Sequence, residues 1–277
     1  MMGHTTLNED YEVDQRAVIG RGRFSTVKLA FSRRHGRHVA AKITPLSREN
    51  DDPISNASQE FQILSRLDHG NIIDVYDHFV EAGSLWIFME HAQNGDLRKF
   101  VHLRRRLSIK LARKFFRQIL DAVAYMHSQD VVHRDIKCEN ILVTGDEGIV
   151  KLCDMGCAVS LTERTESDPP SQHREGIYGS PAYAAPEVLD RTARGLKPAD
   201  VWSTGVVMFF MVCGYLPFGC DDVPRIRARM TSPLRWPRPL RQIDKDCREY
   251  VESILQLRPE DRPTAADALR GTWMKKN

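Results

Sequence analysis

The densest group of chemically capable residues lies in VVHRDIKCENIL, Val131 to Leu142, where Asp135, Lys137 and Asn140 fall within six residues. A carboxylate, an ammonium and an amide this close together are poorly explained as an ordinary surface loop. A second aspartate, Asp154, follows in KLCDMGC, Lys151 to Cys157. Its flanking cysteines are spaced C-x3-C, which matches neither the C-x-x-C redox pattern nor the paired short spacings of a zinc site. Chemistry is therefore expected at Asp154 and not at Cys153 or Cys157. Between the two stretches, ILV and IVKL flank TGDEG. This is a hairpin pattern that would bring Asn140 and Asp154 to the same end of two adjacent strands.

A further group precedes these. IGRGRFSTVKLA sets Gly20 and Gly22 ahead of Val27. Glycines in such a turn let backbone N–H groups approach phosphate oxygens, although similar turns occur in many hairpins. VAAK then puts Lys42 at the end of an apolar strand, where a lysine is either a solvated strand end or a phosphate ligand. Glu60, on the helix that follows, could orient Lys42 through an ion pair. On its own it would read as a surface glutamate of an amphipathic helix.

The elements that must position these residues change character along the chain. EVDQRAVIG, TVKLAFS and RHVAAKI read as strands, NASQEFQILSRL as a helix with Asn56 and Gln59 in capping-box spacing, and IDVYDHFV and SLWIFMEH as further strands ending near Ala92. After QNGD the pattern is helical. Leu111, Phe115, Ile119, Ala122, Val123 and Met126 recur at three- and four-residue steps, with Ser108 as N-cap. The longest apolar run, Val206 to Cys213, is less than half the length needed to span a bilayer and reads as a core helix.

Composition narrows the classes. At 277 residues, two lobes or two domains are expected; 42% hydrophobic and 28% charged residues describe an ordinary globular chain. A net charge of +3 gives no whole-molecule case for nucleic acid or an anionic membrane as partner. Six irregularly spaced cysteines point to reduced thiols and a cytoplasmic protein. The opening MMGHTTLNEDYEVD has neither the apolar core of a secretory signal nor a glycine at the second position, so neither export nor myristoylation is expected.

Taken in order, the glycine-rich turn, V-A-x-K, helix glutamate, H-R-D-x-K-x-x-N, D-x-G and A-P-E resemble the protein-kinase signature. AAPE stands at Ala184 to Glu187, DVW at Asp200 to Trp202, and RPEDRP supplies Arg262. Lys137 after Asp135 and Ser180 in GSPAY match the serine/threonine pattern. The chain resembles the calcium/calmodulin-dependent kinase group, most of all its testis-specific serine/threonine kinases. A P-loop nucleotide hydrolase would need G-x-x-x-x-G-K-[ST], which the sequence lacks.

The resemblance implies an α+β bilobal fold: a tail over 1–10, an antiparallel sheet lobe with one helix over 11–92, and a mostly helical lobe over 93–277, in a single catalytic domain 11–273. It implies ATP and Mg2+, with Mn2+ as an alternative ion, and transfer of the γ-phosphate to protein Ser/Thr hydroxyls. Nucleotide would bind between the lobes. Lys42, held by Glu60, would contact the α- and β-phosphates, Asn140 and Asp154 would hold the metal, Asp135 would accept the hydroxyl proton, and Lys137 would offset developing charge. Gly20 and Gly22 would cradle phosphate, Val27, Ala40 and Leu142 would enclose adenine, Glu90 and Ala92 would bond it through their backbone, Met89 would guard the back pocket, and Asp96 would meet ribose. Arg262 would pair with Glu187 in a structural role.

Departures from the family pattern carry their own expectations. Met155 stands for the phenylalanine of D-F-G and is adaptable enough to pack there. Ser25 replaces the third glycine and should stiffen the loop. These two positions leave a nucleotide-binding scaffold without efficient transfer as the rival reading. Gly176 stands where many relatives carry a phosphorylated threonine, so Arg134 is expected to meet Glu175 or a phosphate on Thr165, Ser167 or Ser171. Glu139, aided by Asp96, would favour arginine upstream of the target, only mildly because Phe210 replaces a glutamate of strongly basic-directed relatives. Ile177, Pro181 and Ala184 would line the pocket for the next residue. RRRLS, Arg104 to Ser108, could serve as a self-phosphorylation site or as a helix cap. The expected partners are protein substrates, with an activating kinase, scaffold or chaperone left open.

Overall fold

The computed structural model describes residues 4–7, 9–22, 25–46, 53–145, 148–162, 179–192, 197–219, 222–237 and 243–276. Thr165, Ser167, Ser171, Glu175, Gly176 and Ile177 lie outside them. The chain divides into two compact units, Met1–Asp68 with Ile72–Gln93, and His69–Asn71 with Asn94–Asn277.

The first unit is built from β1 (His4–Leu7), β2 (Tyr11–Arg21), β3 (Thr26–Ser32), β4 (Arg37–Pro45), α1 (Pro53–Leu64), β5 (Val75–Glu81) and β6 (Ser84–Glu90). The strands form one antiparallel sheet in the order β1-β2-β3-β4-β6-β5. Two sequence expectations are corrected here. The segment 1–10 is not wholly a tail, since His4 to Leu7 pair with Asp14 to Tyr11; the threonine-rich run has high strand propensity and β2 offers it an open edge. The helix begins at Pro53, so Asn56 lies inside it and does not cap it; proline is well suited to a first helical position.

Register assigns the sheet's two faces. Tyr11, Val13, Ala30, Val39, Ala41 and Phe88 form a buried core on one side, with the Tyr11 and Phe88 rings stacked at 3.8 Å. Val27 lies opposite Lys42, and Ala40 opposite Met89. Because side chains alternate, Val27, Ala40, Lys42 and Met89 all project from the other face.

The second unit contains α2 (Leu97–Arg104), α3 (Ile109–Ser128), β7 (Val131–Val132), β8 (Ile141–Thr144), β9 (Ile149–Leu152), β10 (Val159–Ser160), α4 (Pro186–Leu189), α5 (Lys197–Cys213), α6 (Val223–Met230), α7 (Lys245–Ile254) and α8 (Ala265–Arg270). Ser108 Oγ accepts the Leu111 N–H and caps α3, the structural reading of RRRLS. Phe115, Ile119, Ala122, Val123 and Met126 are buried, as their spacing predicts, whereas Leu111, in the first turn, is only half-buried. From Asp200 to Cys213, α5 is buried on every side. No helix among the described residues is long and apolar enough to cross a membrane.

Two charged residues fix this unit's interior. Arg262 donates both terminal nitrogens to Glu187, at 2.6 and 2.7 Å, and also bonds the carbonyls of Gln256, Pro198 and Leu257. Its side chain is 0% exposed. Asp200, 2% exposed, accepts hydrogen bonds from His127 Nε2 at 3.0 Å and from the backbone N–H groups of His133 and Arg134 at 2.9 Å each. Burial alone would push the Asp200 carboxyl up, but the His127 hydrogen bond, the two imidazoles and the His133 N–H together hold it below the ordinary carboxylate range.

Two outcomes follow. Arg262→Met strands a buried carboxylate, so thermal and urea unfolding should show a loss of about 3–5 kcal/mol; an unchanged melting temperature would contradict the pairing. Asp200→Asn removes the charge and one acceptor, at a cost of about 1.5–3 kcal/mol near neutral pH. Because the folded carboxyl titrates below its unfolded value, its contribution is present above pH ~4 and is lost as pH falls through the folded value. The stability gap between parent and Asp200→Asn should therefore narrow on acidification below pH ~4, and urea titrations showing a constant gap would refute this.

Candidate active site

In the first unit the sheet delivers Lys42 and α1 delivers Glu60. The Lys42 ammonium donates to both carboxylate oxygens of Glu60, at 2.6 and 2.8 Å. The two side chains are 12% and 6% exposed, so this is a largely desolvated pair and not a solvated strand end. Gly20 faces Val27 across the β2–β3 ladder, and the Gly22 N–H donates to the Ser25 carbonyl at 2.9 Å, closing the turn. A Cβ on Gly22 would lie 2.7 Å from Ser25 Oγ, so the serine that replaces a third glycine itself fills the space beside Gly22. The Glu90 N–H bonds the Asp74 carbonyl. Among the described residues, nothing hydrogen-bonds the backbone N–H or C=O of Ala92.

In the second unit the β8–β9 hairpin forms as its sequence predicts. Ile141 lies opposite Leu152, and the Cys153 N–H donates to the Asn140 carbonyl at 2.9 Å. Asn140 and Asp154 are thereby held at the same end of the hairpin. Leu142, half-buried, pairs with Asp96 through an isolated bridge.

The loop after β7 organises Asp135. Its Oδ2 accepts from Lys137 Nζ at 2.6 Å and Asn140 Nδ2 at 3.0 Å, and its Oδ1 accepts from the Ser180 N–H at 3.1 Å. Its own N–H donates to His133 Nδ1 at 3.2 Å. Since Nδ1 is thus an acceptor, Nε2 of the buried His133 ring carries the proton toward the Cys153 carbonyl, 3.1 Å away. Asn140 spends both amide hydrogens on the Asp135 carboxylate and carbonyl. Its amide orientation is thereby fixed, with Oδ1 left as an acceptor. Burial works against the Lys137 charge, but the Asp135 hydrogen bond and the charges of Asp135, Asp154 and Glu139 outweigh it and raise its pKa, so it stays protonated.

Arg134 and Asp154 both adopt left-handed backbone conformations, φ 65° and 64°. Non-glycine residues hold such angles only where their surroundings dictate it. Arg134 is set by the Asp200 anchor on its N–H, and its Nε donates to the Cys157 carbonyl at 2.5 Å. Met155 is 1% exposed and so packs where an aromatic is usual. Burial foremost pushes the Cys157 thiol up, which disfavours the thiolate a metal or redox role needs.

The donor set fits a hard divalent cation. Asp154 would offer a carboxylate and Asn140 an amide oxygen, and Mg2+ is characteristically held by one or two such groups plus substrate phosphates. Among the described residues there is no cluster of three or more His, Cys, Asp or Glu that would form an all-protein metal cage.

Several placements were not legible beforehand. Asp96 caps α2 through the Lys99 N–H at 2.8 Å and also pairs with the Lys99 ammonium. Glu139 is engaged by Arg98. Gly179, at φ 75°, brings the chain so near Asp135 that a Cβ there would lie 2.8 Å from Oδ1 and 2.9 Å from the Arg134 carbonyl. Ser180 was noted only as a specificity mark, yet its N–H orients the central carboxylate. The aspartate opening an otherwise apolar α5 was the available signal for Asp200, since a buried charge needs partners.

Comparison with known proteins agrees with this arrangement. A model described as the protein kinase domain matches residues 13–274. Human testis-specific serine/threonine-protein kinase 3 is 36% identical over 97% of this chain and 97% of its own length. Mouse testis-specific serine/threonine-protein kinase 2 is 35% identical over 93% of this chain and 72% of its own length, and rat serine/threonine-protein kinase SIK1 is 35% identical over 96% of this chain and 33% of its own length. The chain therefore belongs to the protein kinase family and is a protein serine/threonine kinase.

Proposed function

We propose that this chain is a competent phosphotransferase that moves the γ-phosphate of ATP to serine or threonine hydroxyls of proteins, with a mild preference for basic residues upstream of the target. The observation that carries the reading is Asp135, whose carboxylate is oriented by three donors from three places in the chain. A scaffold that only bound nucleotide would have no use for a carboxylate aimed in this way.

In this mechanism the substrate hydroxyl hydrogen-bonds Asp135, its oxygen attacks the γ-phosphorus, and the bond to the bridging oxygen of ADP breaks. The hydroxyl proton passes to Asp135. Lys137, already bonded to Asp135, meets the charge on the transferring group without further reorganisation. Lys42, locked by Glu60, positions the α- and β-phosphates, and the glycine-rich turn supplies backbone N–H groups to them. Asp154 and the free Oδ1 of Asn140 would hold Mg2+, which would supply neutralisation of phosphate charge. The sheet face bearing Val27, Ala40 and Met89 is the apolar platform for adenine, and the backbone of Ala92 is available to its edge.

Purified protein incubated with ATP, Mg2+ and a basic serine peptide should incorporate phosphate. Asp135→Asn should reduce kcat about 10²- to 10⁴-fold, and Lys42→Met about 10²- to 10³-fold, each with an unchanged fold by circular dichroism. A parent no faster than Asp135→Asn, while still binding nucleotide, would reverse the proposal in favour of a scaffold.

A further inference from the structure

Glu139 lies on the short 3-10 turn Cys138–Asn140, between Lys137 and Asn140, and its charge is felt at Lys137. Its carboxylate is only half satisfied. Oε1 is bonded by one terminal nitrogen of Arg98, whereas Oε2 is buried and has no hydrogen-bond partner among the described residues. Arg98 comes from the first turn of α2, whose start is fixed by the Asp96 cap, and its side chain is 52% exposed. Among the described residues, this guanidinium hydrogen-bonds through the single contact to Oε1. A planar guanidinium fork can satisfy both oxygens of a carboxylate at once. The resident contact leaves half of that capacity unused.

We infer that Arg98 is a built-in competitor for Glu139, and that the upstream arginine of a substrate must displace it to gain the two-bond contact with that carboxylate. This inference rests on the reading of Glu139 as the residue that meets substrate arginine. Arg98 then sets how strongly the kinase discriminates. While it occupies Oε1, a neutral substrate leaves Glu139 partly neutralised at no cost, and a basic one must first break the pair. A half-exposed ion pair is weak, so displacement is feasible and the discrimination is blunted by about threefold to fivefold and not abolished. Asp96, which the sequence offered as a second acidic contact, is held by the Lys99 N–H and ammonium and adds little to this competition.

The test compares kcat/KM for paired peptides that differ by one arginine or alanine upstream of the serine, the arginine being moved along the preceding positions. The ratio within each enzyme cancels changes common to both peptides. Arg98→Ala should raise the arginine-to-alanine ratio about threefold to fivefold at one position. Arg98→Lys, which keeps the competing charge, should stay near the parent. Glu139→Gln should remove the preference in both the parent and Arg98→Ala backgrounds. If Glu139→Gln lowers the ratio but Arg98→Ala leaves it unchanged or lowers it, the competitor role is overturned and the Glu139 reading stands. If Glu139→Gln has no effect in either background, the Glu139 reading itself fails and takes the inference with it. Fluorescence anisotropy of the same labelled peptides gives the same comparison as affinities, independent of turnover.

Discussion

One buried carboxylate sets the geometry on which the rest of the site depends. Asp200 sits in the first turn of the most deeply buried helix and is bonded by the imidazole of His127 from the end of α3 and by two successive backbone N–H groups, those of His133 and Arg134. Two successive N–H groups cannot point at one carboxylate in an extended strand, where they alternate in direction, so the chain must leave the β7 conformation there. The left-handed angle at Arg134 follows. Asp135, next in sequence, is thereby carried clear of β7 to the point where Lys137, Asn140 and Ser180 can reach it. A buried charge that costs several kcal/mol unpaired is thus the device that holds a strained loop in one conformation.

The same logic applies, with different partners, to the other buried charges. Arg262 and Glu187 satisfy each other almost completely, and the remaining guanidinium N–H groups find three carbonyls. Nothing is left over for a ligand, which is the mark of a structural pair. In the Lys42–Glu60 pair the cation is the less enclosed, its side chain being 12% exposed against 0% for Arg262. Asn140 is a third case: its two hydrogens are consumed and its oxygen is not. What separates structural from chemical polar groups here is the residual capacity of each, not burial.

Much of this was legible in the sequence where one residue type at one spacing has one physical use. Strand patterning delimited the segments that carry Val27, Ala40 and Lys42, although only the register shows that they share a face, and helical spacing found most of the buried stripe of α3. The hairpin pattern around TGDEG placed Asn140 and Asp154 together. Other features escaped because their partners are distant in sequence or because two readings were physically equivalent. His4–Leu7 is too polar for its pattern to announce a strand, and only the open edge of β2 makes it one. Asn56 and Gln59 have capping spacing, but Pro53 begins the helix three residues earlier. Ser180 acts through its backbone, which no side-chain pattern can report. Asp200 carried a weak signal, an acidic residue at the head of an apolar helix, that fits a dipole interaction as well as an anchor.

Arg98 is the instructive case at the opposite extreme. In sequence nothing sets it apart from the other basic residues of LRKFVHLRRR. In the structure it is half exposed, and its ion pair would ordinarily be worth little. It gains significance only from the state of Glu139, one oxygen bonded and the other buried without a donor. A carboxylate near the reacting groups that was fully paired would be architecture, like Glu187. One that was wholly open would be a plain cation site. Half-occupancy by a weak intramolecular donor is neither, and it makes the strength of substrate discrimination a property of α2, an element that contributes none of the groups assigned to phosphoryl transfer.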